Sequence, residues 1–146
     1  MSTAAVLPSS GVALTGRILL ALLFLGSGLG KLASPTAAQL YMATSGVPAP
    51  MFAYTFAVVA EVGGGLLLLV GYQTRLAAFM LTVFTLAATL LFHGDVTNEY
   101  QMLHAFRNLA IVGGLLTVAA FGAGRISIDQ RRVAIAAREG VPGTAR

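Results

Sequence analysis

Glu61 stands near the centre of an apolar run from about Met51 to Tyr72, and Arg17 and Lys31 stand in another from about Gly11 to Leu32. His93 closes a third run that begins at about Leu76, and Arg107 and Asn108 sit in the first turns of a fourth, from about His104 to Gly124. A carboxylate held among apolar side chains can take up and release a proton, and ionisable groups in such runs are costly unless they are paired. Residues 17 and 31 are fourteen apart and fall on nearly the same helical face, together with Phe24 and Gly28. Glu61 is ten residues in from Met51, roughly 15 Å by helical rise. In an antiparallel hairpin that depth is level with Ala21, one turn from Arg17. The expected pairing is therefore Arg17–Glu61. It serves either as a latch holding two helices in register or as a proton-handling site beside a hydrophobic redox cofactor.

A second group gathers at the opposite ends of the runs. Lys31 ends the first run and His93 the third, and His104, Arg107 and Asn108 open the fourth, with 104 and 108 one turn apart. Asp95 and Glu99 lie between. In a closed bundle these groups meet at one mouth. They form either a cationic, histidine-containing site for an anionic or quinone-like ligand or a set of interfacial anchors and loop caps. Two histidines, each with an ordinary interfacial explanation, are a weak signal for haem, which is set aside. No metal site is expected, since too few ligating neighbours have suitable spacing. The chain has no cysteine, which removes disulfides, thiolate catalysis and Fe–S clusters. Redox chemistry would need a bound cofactor or a partner subunit. There is no phosphate-binding glycine loop after a strand, no nucleophile elbow and no HExxH motif.

The elements that must position these groups follow from composition. Hydrophobic residues make up 57% of the 146 residues and charged residues 10%, and mean hydropathy is +0.84. A soluble domain carries roughly 25% charged residues, and so few charges could not cover one. The solvent is the lipid bilayer. The runs are long enough to span as helices and lack the alternation of barrel strands. The expected fold is all-α, a single integral membrane four-helix bundle over 1–146, with passes at about 11–32, 51–72, 76–93 and 104–124. Ser34-Pro35 is a candidate N-cap and first helical position for a short interfacial helix, Thr36 to Thr44. Gly71 to Arg75 reads as a tight turn. The basic tail, 125–146, reads as a cytoplasmic surface helix. The first ten residues lack the basic start of a secretory signal.

Arg17, Arg75, Arg125, Arg131, Arg132, Arg138 and Arg146 fall on the side of the termini, against Lys31 and Arg107 on the other. That bias predicts both termini in the cytoplasm. The net charge of +4 does not indicate nucleic acid, because the cations are scattered between apolar runs and crowd only at the C-terminus. Gly26, Ser27, Gly28, Gly30, Gly63 to Gly65, Gly113 and Gly114 are placed for close helix packing or, alternatively, to make room for a cofactor.

An ordered set of short stretches resembles the DoxX family of small four-pass bacterial membrane proteins. These are Gly16-Arg17-Ile18-Leu19-Leu20, Gly28-Leu29-Gly30-Lys31-Leu32, Ala60-Glu61-Val62-Gly63-Gly64 and Thr74-Arg75-Leu76-Ala77-Ala78. They continue with Leu91-Phe92-His93, Arg107-Asn108-Leu109-Ala110 and Gly122-Ala123-Gly124-Arg125 before Ile126-Ser127-Ile128-Asp129. Arg107 departs from the lysine that members often carry, with its positive charge kept. The resemblance implies a multi-pass protein of the bacterial inner (plasma) membrane and a component of a quinone-linked redox system. It supplies no agreed catalytic set. By position the matched polar residues are Arg17, Lys31, Glu61, His93, Arg107 and Asn108. One alternative is a non-catalytic accessory subunit that stabilises a larger, respiratory-type membrane complex. A small-molecule carrier, in oligomeric form, ranks below both. The expected partners are the bilayer and a larger membrane protein or further copies of the chain.

Overall fold

A computed structural model describes residues 10–92 and 98–138. Four of its helices are long and apolar enough to cross a membrane: α1 (Ser10–Ala33), α3 (Pro50–Val70), α4 (Thr74–Phe92) and α5 (Glu99–Phe121). Two shorter helices flank them, α2 (Pro35–Thr44) between α1 and α3, and α6 (Ile128–Arg138) after α5. Among the described residues there is no strand. Each spanning helix packs on its neighbours in sequence and α5 returns to α1, so the four close into an up-and-down bundle.

The helix ends are set by local chemistry. Ser34 holds the N-cap position of α2 and Pro35 its first position, although the Ser34 hydroxyl makes no capping bond. The turn between α3 and α4 is shorter than expected, because Gly71 ends α3 at φ +70° and Gln73 at φ +44° sends the chain straight into α4. α5 starts earlier than the expected His104. Asn98 caps it, accepting from the N–H groups of Tyr100 (3.0 Å) and Gln101 (3.3 Å). It also ends earlier, at Phe121, where Gly122 turns the chain at φ +85°. Within the basic tail, Ile128–Arg138 is helical as α6.

Two apolar clusters hold the bundle. Ala21, Phe24, Leu68, Ala77, Ala78, Leu81 and Leu115 form the main core. Met42, Val47 and Ala57 join α2 to the first turns of α3. Much apolar surface stays uncovered, including Leu19, Phe52, Phe79, Leu90, Phe106 and Phe121. On a water-soluble domain such a surface would aggregate; here it is the face offered to lipid.

Small residues admit the close contacts only at some of the expected places. A Cβ on Gly28 would lie 2.7 Å from Val62 Cγ2 and 3.3 Å from the Val62 nitrogen, so only glycine lets α1 approach α3 there. Gly64 and Gly65 face Leu81 and Leu25 at similar range. A Cβ on Gly26, Gly30, Gly63 or Gly113 would meet nothing within 4 Å, so no close approach requires glycine there.

Candidate functional site

Glu61 lies at the middle of a π-helical turn, Val59–Gly63, that interrupts the α-geometry of α3. A π-turn widens the helix by one residue, and such turns are frequent at functional sites. Its carboxylate is nearly buried and bound by α1. Lys31 Nζ donates to Glu61 Oε1 at 2.9 Å and to Oε2 at 2.8 Å, and Ser27 Oγ donates to Oε1 at 3.1 Å. Lys31 also donates to Ser27 Oγ at 2.9 Å, closing a three-residue network, and the Tyr54 hydroxyl donates to the Lys31 carbonyl at 3.3 Å.

The expected Arg17–Glu61 pair is therefore corrected to Lys31–Glu61. The cause is register. α3 begins beyond the end of α1, with its first turns packed on α2, so its depth cannot be counted from Met51. Glu61 comes level with Gly28 instead of Ala21, two helical turns nearer Lys31. Ala21 and Leu25 are opposite Gly65. Arg17, also buried, is spent at the other end of the bundle, where its guanidinium donates to the carbonyls of Ala123 and Ile126 (2.9 Å for the latter). Around it the Asp129 carboxylate accepts from the N–H groups of Gln73 and Thr74 at 2.8 and 2.9 Å, and the Asp129 N–H donates to the Gly71 carbonyl. Partial burial acts to raise the Asp129 pKa, but hydrogen bonds from Thr74 and Gln73 and the charge of Arg132 outweigh it and hold the carboxyl below its ordinary range. This end is a backbone latch joining α1, the Gly71 turn and the start of α6.

Two cavities meet at Glu61. One, of about 360 Å³, opens between α1, α4 and α5 and is lined by polar groups of Ser27, Glu61, Thr85, Arg107 and Asn108. The other, of about 440 Å³, lies beside α2 and is nearly all apolar, with Tyr41, Met42, Phe56 and Leu91 in its wall and Lys31 and Glu61 also lining it. Glu61, Phe84 and Ala88 line both. Tyr41 stacks on Phe92 at 5.5 Å across the apolar one. Both volumes fall in the ordinary range for small-molecule sites.

Lys31, Glu61, Arg107 and Asn108 are thus brought to one region, while Arg17 is not. Asn108 Nδ2 donates to Thr89 Oγ1 at 2.9 Å, tying α5 to α4. Arg107 contacts His104 Nδ1 at 2.6 Å, and Tyr100 packs edge-on against that ring; His104 itself lines neither cavity. His93 and Asp95 lie outside the described residues. Among the described residues no three His, Asp or Glu side chains cluster in a way that could hold a metal. Ser27 was grouped by its sequence with the small packing residues. Its signal was present, since it lies four residues before Lys31 and hence on the same face. The π-turn has no marker in residue type.

The family model for DoxX matches residues 12–94. The chain belongs to the DoxX family. Inner membrane protein YqjF of Escherichia coli is 38% identical over 117 residues, covering 80% of this chain and 88% of that protein. Inner membrane protein YphA of the same organism is 34% identical, covering 81% and 88%. ER-derived vesicles protein ERV29 of Saccharomyces cerevisiae is 32% identical over 82 residues, covering 53% of this chain and 26% of that protein. No solved structure matches. With four spanning-type helices and these relatives, this DoxX protein is a multi-pass protein of the inner membrane.

Proposed function

We propose that this DoxX protein binds a quinone-class lipophile at Glu61, as a component of a quinone-linked membrane redox system. The observation that carries the reading is that one buried carboxylate lines two cavities, one with several polar side chains among apolar ones and one nearly all apolar. A quinone has that division, with carbonyl oxygens on a flat ring and an apolar tail. The residues fit it: Arg107 and Asn108 offer N–H donors to ring carbonyls, and Tyr41, Met42, Phe56 and Leu91 line a space for apolar substituents. When bound, a quinone supplies two-electron, two-proton chemistry. The chain's own part is to orient the head group by donors, to exclude water with Phe84 and Phe24, and to offer Glu61 as a carboxylate able to hold a proton.

The test is photolabelling of the detergent-solubilised protein with an azido-quinone, mapped by mass spectrometry. Label is expected near Phe84 and Ala88. Ala88→Phe fills the junction of the cavities, and Arg107→Gln removes a donor. Each is expected to weaken labelling by about tenfold, the equivalent of one charge-assisted hydrogen bond. Undiminished labelling in both variants overturns the reading.

A second reading, a non-catalytic accessory subunit, is supported by α5, the least buried of the four spans. Leu103, Phe106 and Leu109 leave it an apolar face that suits a larger membrane partner as well as lipid. Stoichiometric co-purification with much larger subunits, and no quinone label, would favour it. In either reading both termini are cytoplasmic, which the arginine-rich end of the bundle supports.

A further inference from the structure

At the end of the bundle remote from Glu61, a cleft of about 640 Å³ opens between the start of α4 and the end of α5. Arg75 and Arg125 both line it, and neither has a carboxylate partner among the described residues. The one acid in the cleft, Asp129, has its two oxygens engaged by the Gln73 and Thr74 N–H groups. The cleft is therefore net positive, and among the described residues its two guanidinium groups have no hydrogen-bond acceptor. Gly122 supports it: at φ +85°, a Cβ there would come within 3.3 Å of Arg75 Nε, so glycine lets the guanidinium lie against the turn.

The position selects the ligand. Arg75 is the second residue of one apolar span and Phe121 the last residue of another, so the guanidinium groups stand where hydrocarbon gives way to head groups. Leu76 and Phe121, on the same cleft, are exposed and turned to lipid. A phosphodiester takes bidentate donors from arginine. Basic clefts between spanning helices bind anionic lipid head groups. We propose that the Arg75–Arg125 cleft is a site for the phosphate of an anionic phospholipid, with an acyl chain lying along Leu76 and Phe121. The site shares no residue with the Glu61 cavities and does not depend on what they bind.

The test is native mass spectrometry of the whole chain after exchange into detergent containing equal phosphatidylglycerol and phosphatidylcholine. The wild type is expected to retain phosphatidylglycerol selectively. Arg75→Gln with Arg125→Gln should lower that retention by about tenfold or more, since both charged donors to the phosphate are removed. Arg131→Gln with Arg138→Gln, an equal loss of charge on α6 outside the cleft, should change it less than twofold. Size-exclusion profiles establish that both double variants fold, and Arg75→Lys with Arg125→Lys, which keeps the charge, should retain an intermediate amount. Equal losses in the two glutamine variants would show general charge attraction and overturn the proposal. Displacement of the lipid by millimolar inorganic phosphate would assign the site to a free anion and overturn the lipid reading.

Discussion

Glu61 and Lys31 are each other's main electrostatic partner, and neither belongs in hydrocarbon alone. The Glu61 side chain is 7% exposed and that of Lys31 24%, so the lysine end opens outward and the carboxylate end does not. Removing one member leaves the other desolvated without its counter-charge, whereas replacing both with apolar groups of similar size removes the problem. Lys31→Met alone and Glu61→Leu alone should each destabilise the protein, on the order of 3 kcal/mol for the fully buried limit. The double variant should recover most of that loss. Thermal unfolding in one detergent measures all three. If the single variants match the wild type, the pair contributes no stability. If the double variant regains stability but loses the quinone label, the pair is functional as well as structural. Ser27 belongs to the same unit, because it both donates to Glu61 and accepts from Lys31.

At the scale of the elements, α3 is what brings Glu61 to α1. Gly28 opens the approach, and the π-turn Val59–Gly63 offsets the residues before it from those after it. A Cβ on Gly63 would meet no atom within 4 Å, so no close helix contact depends on that position. Deleting it should restore plain α-geometry and turn Glu61 by roughly 40°, while the residues on either side of the turn keep their register, since the wide turn absorbs one extra residue. The expected protein is folded and monodisperse but without the Lys31–Glu61 pair, and its quinone labelling is lost. Retained labelling would mean that the π-turn does not aim the carboxylate. The elements themselves were largely legible, because apolar runs of about 20 residues have few other uses. The ends were less so: α5 is extended back to Glu99 by the Asn98 cap, a polar signal inside a stretch that reads as loop. Least legible was the helix register. Hydropathy gives depth along one helix, but the offset between α1 and α3 depends on the packing of α2, which lifts the first turns of α3 past the end of α1. The Arg17–Glu61 expectation failed for that reason, while the meeting of Lys31, Arg107 and Asn108 near one end needed only that the bundle close; Glu61 was not expected among them.

The molecule as a whole is polar at both ends in different ways. One end carries the Arg17–Ala123–Ile126 latch, Asp129 and the arginines of α6; toward the other lie the Lys31–Glu61 pair and the cavities. Arg17 is internal and occupied by two carbonyls, yet its partners lie just past the end of α5, so it stays on the arginine-rich side. Positive charge is retained on the cytoplasmic face during insertion, so this end is expected to face the cytoplasm and the opening near α2 to face outward. The absence of cysteine makes the orientation directly measurable, since a single introduced thiol is the only one in the chain. Ser45→Cys, just after α2, and Ala137→Cys, on α6, are both exposed positions. A membrane-impermeant maleimide applied to intact spheroplasts should label Cys at 45 and spare Cys at 137, which should react only after permeabilisation. The reverse pattern would invert the topology. The Glu61 cavities would then open toward the cytoplasm, and a quinone site there would exchange protons with the cytoplasm.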